Sequence, residues 1–554
     1  MLNKINWSKF LNISFWVIST CVLIIIAVRS AAVPFNHDET ATFFYYVQTG
    51  DFMPYTSHLY TNNHILNSFG SWICLKLFGD SPFSLRLPNL FFLGVYIVGA
   101  WRIYRQLSSV AAKVILISGL LLSFHWLSFF GVCRGYGISM ALLLLAFSFI
   151  IDYFQKKELK WLIAVYLCLA LAIIANLILV IPVLAITGLI CIYQLINKQF
   201  LTLKNLVILF FNIIHILFWI KYSFFLQSKG LLDSGAGDSY WQVTFQSLIS
   251  TLVGENNFWI RTLAIVSYLL LIYLLIAYLF KNFTSKRKNI DLAITHFFSV
   301  LLFSLLIGFY LMKKLLGINF PQDRTGLFLY LLFVLNAVFI VNLIKIKYSS
   351  IIATCVGVIA LIHFTYYLNF QKHSLVMYDT MPQRFYDRLV SDQKKSDKTL
   401  SIGGQRLSEL FYAFMNYRNN GFLNLMDPPE YMHMNSDYYV SKILDRQNYK
   451  PYYEELDVDH NWGFVLLKRK QQLKRVPVAH YGSSKITMNY DKEYNNFFEY
   501  NDTAFSSKNP FLVQFDIKVK SGHMPAMSWI VLAVDSAEGK PAYYKRLPLN
   551  WIRN

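Results

Sequence analysis

Two carboxylates, Asp38 and Glu39, stand side by side after His37, directly past the first long apolar stretch of the chain. Carrying a carboxylate into hydrocarbon costs on the order of several kcal/mol, so this pair either sits in water or serves a site. A carboxylate in such a place can take the proton of a hydroxyl. Far along the chain, Arg134 and Arg324 each stand between apolar runs, in Cys133-Arg134-Gly135-Tyr136-Gly137 and Asn319-Phe320-Pro321-Gln322-Asp323-Arg324-Thr325. A guanidinium fork matches two phosphate oxygens at once. His64 adds a further hydrogen-bonding group. Together these groups suit proton transfer beside an anion held by the cations. Plainer readings stand beside this one. The acidic pair also suits a solvated loop start capping a helix near Thr40, and a lone arginine at a membrane edge also suits snorkelling to lipid headgroups.

The elements that would hold these residues are mostly apolar. Of 554 residues, 55% are hydrophobic and 15% charged, with a mean hydropathy of +0.40. That balance excludes an ordinary soluble protein and points to a polytopic α-helical membrane protein. A span takes roughly 20 apolar residues. Eleven segments qualify: 13–33, 85–101, 110–130, 136–154, 161–176, 177–196, 205–226, 258–280, 290–312, 326–344 and 349–368. The 36 residues of 161–196 are too long for one span and are divided at Asn176.

The distribution of basic residues tests that division. One set of alternate connections holds fifteen lysines and arginines, among them Lys156, Lys157, Lys160, Lys281 and Lys345. The other holds six, with Arg86 at the start of a span. By the positive-inside rule the N-terminus is cytoplasmic, and Asp38, Glu39, His64, Arg134 and Arg324 share the opposite face. The net charge of +20 is therefore topology signal and not a nucleic-acid groove. The N-terminal stretch reads as a retained signal anchor.

Thr40–Gln48 and His64–Phe78 read as helices beside the spans, lying in the interface or packing as lids. The 227–257 loop reads as flexible or as a gate. No cysteine follows Cys355, so no disulfide framework supports the C-terminal part. A Cys74–Cys133 bond is conceivable, with free buried thiols the alternative. His125, His215, His296 and His363 lie within spans at no shared spacing, which speaks against a metal centre.

The composition changes after 370. Residues 371–475 read as an extracytoplasmic α/β domain, with helices at 382–395 and 407–417 and strands at 399–403, 422–426, 438–442 and 463–468. Residues 476–554 read as a β-rich, sandwich-like domain, with strands at 485–489, 511–520, 528–535 and 542–547.

Over 1–370, the order and sidedness of these motifs resemble the C-type (GT-C) membrane glycosyltransferases. Within them the likeness is to the branch of protein O-mannosyltransferases and lipid A aminoarabinose transferases. His37-Asp38-Glu39 matches that family's Asp-Glu after span one, and Asn63-His64-Ile65-Leu66 its Lys/His-Pro-Pro-Leu-like segment without the prolines. Phe78-Gly79…Leu85-Arg86-Leu87-Pro88 matches Phe-Gly…Ala-Arg-Leu-Pro, and Arg134-Gly135-Tyr136 matches Arg-x-Tyr. Pro321-Gln322-Asp323-Arg324 matches a late Pro-x-x-Arg.

The resemblance implies a catalytic transmembrane domain over 1–370 and transfer of a sugar from a polyprenyl-phosphate or -diphosphate donor. The acceptor would be a glycan, lipid or protein on the extracytoplasmic face of a bacterial inner membrane. It casts Asp38 as base, with Glu39 orienting the acceptor or setting its neighbour's charge. Arg134 and Arg324, with Tyr136 and His64, would bind the donor phosphate. Arg86, at the start of a span, reads from its own position as structural. No cofactor is implied, no nucleic acid, and the question of a divalent ion stays open. A transporter or flippase for a polyprenyl-linked glycan is the alternative. Its class, however, usually carries inverted repeats and midplane charges. A glycan polymerase or ligase, and a receptor using the C-terminal β-domain, complete the alternatives.

Overall fold

The computed structural model describes residues 7–198, 202–232, 239–254, 258–283, 290–344, 348–373, 381–404, 409–426 and 435–472. Beyond these it describes 480, 496, 498–499, 528–536 and 538–551. The chain forms two compact units, Met1–Met377 and Tyr378–Asn554.

The first unit is helical throughout. In chain order its helices are α1 (Trp7–Ala32), α2 (His37–Thr42), α3 (Ile65–Phe78), α4 (Pro82–Gln106), α5 (Val110–Leu121), α6 (Phe124–Ser128), α7 (Gly135–Lys156) and α8 (Leu159–Ala175). They continue with α9 (Val180–Ile196), α10 (Leu203–Ser228), α11 (Ser247–Val253), α12 (Phe258–Phe283), α13 (Ile290–Leu316), α14 (Leu327–Leu343) and α15 (Ser349–Tyr367). Each of the eleven expected spans is helical. Among the described residues, eight helices are long and apolar enough to cross a membrane. A ninth is gained if Val110–Leu121 and Phe124–Gly131, bent by 48°, are one span. At 17 residues α8 falls short, reaching about 26 Å at the helical rise. This is a polytopic helical membrane protein.

The division at Asn176 is a real break. Asn176 leaves helical geometry at φ −155° and ψ 107°, and a 3₁₀ turn, Leu177–Leu179, starts the next helix. The central helix is α7. Its Ile138, Ala141, Leu143, Leu144, Ala146 and Phe147 are fully enclosed, packed between α4 and α8. Gly99 on α4 permits that approach, since a Cβ there would come 3.2 Å from the Leu145 backbone nitrogen.

The second unit holds α16 (Gln383–Lys394), α17 (Glu409–Arg418) and α18 (Arg446–Tyr449), with a four-stranded sheet ordered β1-β2-β4-β3. Its strands are β1 (Ile402–Gly404), β2 (Tyr438–Lys442), β3 (Tyr453–Asp459) and β4 (Phe464–Arg469). Only β1–β2 is parallel. The hairpin β5 (Trp529–Asp535) and β6 (Pro541–Pro548) is antiparallel. Two expectations fail here. The strand expected at 422–426 does not form, because the Asn416 side chain takes both backbone groups of Leu423, at 2.9 and 2.7 Å, in place of a neighbouring strand. In turn, β3 was not foreseen, its acidic run hiding a strand that pairs along β4. The strands expected at 485–489 and 511–520 lie outside the described residues.

Candidate active site

The site lies at one end of the helical unit, where α1 and α8 finish and α3, α4, α7 and α14 begin. Local sequence builds its central turn. Asn36 caps α2: its side chain accepts from the Glu39 amide at 2.9 Å, and Glu39 Oε2 accepts from the Asn36 amide at 3.2 Å. This reciprocal capping box starts the helix at His37, earlier than the Thr40 start that the sequence suggests. The expected helix over 40–48 is α2 followed by a π turn at Phe43–Val47, a geometry often found beside functional residues.

Glu39 and Arg86 form a fully enclosed ion pair, each with 0% side-chain exposure. Arg86 uses all five of its donors. Nε and Nη2 reach Glu39 at 2.7 Å each, Nη1 reaches the Ser30 and Val33 carbonyls, and Nη2 also reaches Pro34 O. It therefore satisfies the orphan carbonyls at the end of α1. Glu39 Oε1 also accepts the Cys133 amide at 2.6 Å. Burial opposes the charge on Glu39, but Arg86 outweighs it and keeps the carboxyl below its ordinary range. With both oxygens occupied and no exposure, Glu39 cannot reach an acceptor. The role of orienting one gives way to a role in fastening α2 to α1, α4 and the Arg134 turn.

Asp38 faces the other way, into the cluster. Its Oδ2 lies 2.7 Å from Arg324 Nη2 and 3.7 Å from Arg134 Nη2, and Asn62 Nδ2 donates to Oδ1 at 3.3 Å. Burial pushes this carboxyl up, but Arg134 and Arg324 prevail and hold it well below the usual carboxylate range. Arg134 is 2% exposed and braced by Thr42 Oγ1 at 3.0 Å, by Asn62 O at 3.3 Å and by Asn62 Oδ1. Its Nε is buried without a partner. Arg324, 37% exposed, forms the open side. Tyr136 lies under both guanidiniums, 5.7 Å from Arg134 and 5.8 Å from Arg324. The inner cluster thus sets two cations against one carboxylate, with Asp323 at its exposed edge.

His64 packs edge-on to Tyr136 at 4.8 Å. Its Nδ1 meets Ala175 O at 2.9 Å, a carbonyl freed by the end of α8 at Asn176. In the neutral ring this contact assigns the proton to Nδ1, leaving Nε2 as a buried lone pair without a partner. Burial, aided by Arg134, holds the imidazole neutral, its pKa well below 6.5. In this tautomer Nε2 has no proton to give, which does not suit the phosphate-binding role that the resemblance implies for His64. A Cβ on Gly135 would run into Ala175 O and this ring, so α7 must begin with glycine here.

Arg324 is carried by the turn ahead of α14, and the 241–254 stretch props that turn. Thr244 Oγ1 donates to Pro321 O at 2.7 Å, and the Asp323 amide donates to Ser247 Oγ at 2.8 Å. The second half of the 227–257 loop is thus a docked π turn and helix α11.

Beside the cluster, a narrow apolar crevice with room for about 10 Å³ is lined by Ile65, Ile173, Leu177, Trp219 and Leu226, with Asn63 and Tyr60 at its polar end. Cys74 and Cys133 are both free thiols. His125 and His363 do meet, with ring centroids 5.9 Å apart. Among the described residues no three His, Cys, Asp or Glu side chains converge as a metal set would. Asn62, Thr42 and Asn36 are the contributors that sequence reasoning missed. Asn62 lies two residues before His64, and Thr42 lies one helical turn after Asp38.

No protein-family profile matches the chain, and no curated protein sequence does. Solved structures do. The chain is similar to ArnT from Cupriavidus metallidurans bound to undecaprenyl phosphate, at 11% identity and a TM-score of 0.47, over 82% of this chain and 97% of that one. It is similar to the same protein in the apo state, at 11% identity and a TM-score of 0.45, over 82% and 98%. An oligosaccharyltransferase from Archaeoglobus fulgidus in complex with Zn and sulfate follows, at 10% identity and a TM-score of 0.33, over 81% and 73%.

Proposed function

We propose that the chain is a membrane glycosyltransferase that moves a sugar from a polyprenyl-phosphate-linked donor to an acceptor on the extracytoplasmic face. One observation carries the reading: Asp38 shares a half-buried cluster with Arg134 and Arg324 at the mouth of a membrane-embedded helical unit. The basic residues of the connections support the sidedness, since they gather at the opposite helix ends.

Before donor binds, the guanidiniums are balanced by Asp38, which makes that carboxylate a poor base. A donor phosphate competes for the same cations. As it engages Arg134 and Arg324, Asp38 loses their pull and its basicity rises. The acceptor O–H then gives its proton to Asp38, and the oxygen bonds to the anomeric carbon. The bond from that carbon to phosphate oxygen breaks, and its electron pair leaves on the phosphate, where the arginines stabilise it. The apolar side chains of Ile65, Ile173 and Leu177 beside Asn63 offer a surface to the first isoprene units, so the tail stays in lipid while the phosphate meets the cluster.

The test is a sided assay in proteoliposomes, with a polyprenyl-linked sugar and a hydroxyl acceptor supplied at the extracytoplasmic face. The reading expects free polyprenyl phosphate (or diphosphate) and glycosylated acceptor together. Passage of intact lipid-linked sugar across the bilayer without bond cleavage would overturn it in favour of a flippase.

A further inference from the structure

The segment after α15 returns to the turn that carries Asp38. Arg29, on the last turn of α1, donates through Nη1 to Asn369 O and, at 3.2 Å, to Asn369 Oδ1; its Nη2 donates to Lys372 O at 3.3 Å. The Asn369 side chain closes this segment on itself by accepting the Lys372 amide at 3.1 Å. The next residue, His373, is buried, with Nε2 2.7 Å from Pro34 O and 3.6 Å from Glu39 Oε2. A carbonyl can only accept, so the ring donates from Nε2. Pro34 O also takes Arg86 Nη2 at 3.1 Å, and one carbonyl thus joins the 369–373 segment to the Glu39–Arg86 pair.

We infer that His373 is a positioning residue for Asp38, acting through Pro34 and Glu39, with Arg29 fastening the segment that delivers it. The inference rests on the transferase reading for its kinetic consequence, while its structural consequence stands apart. Pro34 lies between the end of α1 and the Asn36 cap of α2. Proline donates nothing from its own nitrogen, so the carbonyl and the neighbouring Glu39 are what hold this turn. Loosening it displaces Asp38 relative to Arg324, which is held separately by the turn ahead of α14, itself propped by Thr244 and Ser247. A misplacement of about 1 Å in such a group can cost roughly a hundredfold in rate. Arg324, the open side of the phosphate site, stays in place, so the larger loss belongs in kcat and the smaller in donor KM.

The experiment compares full-length wild type with His373→Leu, which fills the space without a donor, and His373→Gln, which keeps an N–H at similar reach. Two quantities are read: kcat and donor KM in the transfer assay, and hydrogen exchange of the amides from 36 to 43. His373→Leu is expected to lower kcat about ten- to a hundredfold with donor KM within about twofold, and to speed exchange in that stretch alone. His373→Gln is expected to restore both. Arg29→Lys carries the same expectations as His373→Leu and replaces it should that variant misfold. Unchanged exchange over 36–43, or a kcat near wild type in His373→Leu, overturns the inference. If wild type shows no transfer, the proposed function fails, and the exchange comparison alone still decides for or against the clasp.

Discussion

Asp38 and Arg324 meet at 2.7 Å, Oδ2 to Nη2, with most of the helical unit's chain running between them. The contact joins the turn after the first span to the turn ahead of α14. It also places the more exposed guanidinium of the cluster where an arriving anion would compete for it.

Replacing either guanidinium therefore weakens donor use. Arg324→Ala is expected to raise donor KM about ten- to a hundredfold, the usual value of a hydrogen bond to a charged group. Arg324→Lys should recover only part, because an ammonium lacks the planar fork. Donor titration against fixed acceptor checks this, and an unchanged donor KM would remove Arg324 from the phosphate site.

The Glu39–Arg86 pair acts on folding. Glu39→Ala leaves the Arg86 charge enclosed and unpaired, which costs about 3–5 kcal/mol in comparable buried pairs. Chemical denaturation or thermal melting in detergent should show that loss. In the same assay Asp38→Asn should lose less than Glu39→Ala, because Asp38 is partly exposed at a mouth and the enclosed Arg134 keeps its acceptors on Thr42 and Asn62.

His373 sets an acid-side stability trend. Burial pulls its pKa from 6.5 to about 4, with Arg86 and Arg29 opposing protonation and Glu39 favouring it. The folded state thus binds a proton less readily than the unfolded chain. Stability from this group is fully present above pH 6.5, falls as the pH drops from 6.5 towards 4, and levels off below. His373→Gln removes the titration. The stability of wild type relative to this variant should fall from pH 7 to pH 4, and a difference that stays constant would contradict the assignment.

Much of this was legible before coordinates. The residues of the cluster were readable because their types are costly near hydrocarbon and their positions alternate consistently with the basic connections. Arg86 was readable as structural from its place at a helix start beside Pro88. The capping box Asn36-x-x-Glu39 is written in the sequence, but an adjacent acidic pair suits a reactive site as well as a cap. Arg29 was hidden because a single arginine at the end of an apolar run looks like snorkelling, and only the fold shows its guanidinium turned onto Asn369 and Lys372. His373 was hidden because it follows the last span with no periodicity around it. Its meaning comes from a carbonyl remote in sequence. The proton position on His64 needed Ala175, whose carbonyl is free only because the chain breaks at Asn176.

The central claim is that Asp38 takes the acceptor's proton within this cluster. Its most direct test is transfer by purified Asp38→Asn beside wild type, with polyprenyl phosphate binding measured on the same samples. Turnover is expected to fall by about 10²–10⁴-fold, the usual contribution of a positioned base, with folding intact and lipid phosphate still bound. Turnover near wild type in a folded Asp38→Asn would contradict it.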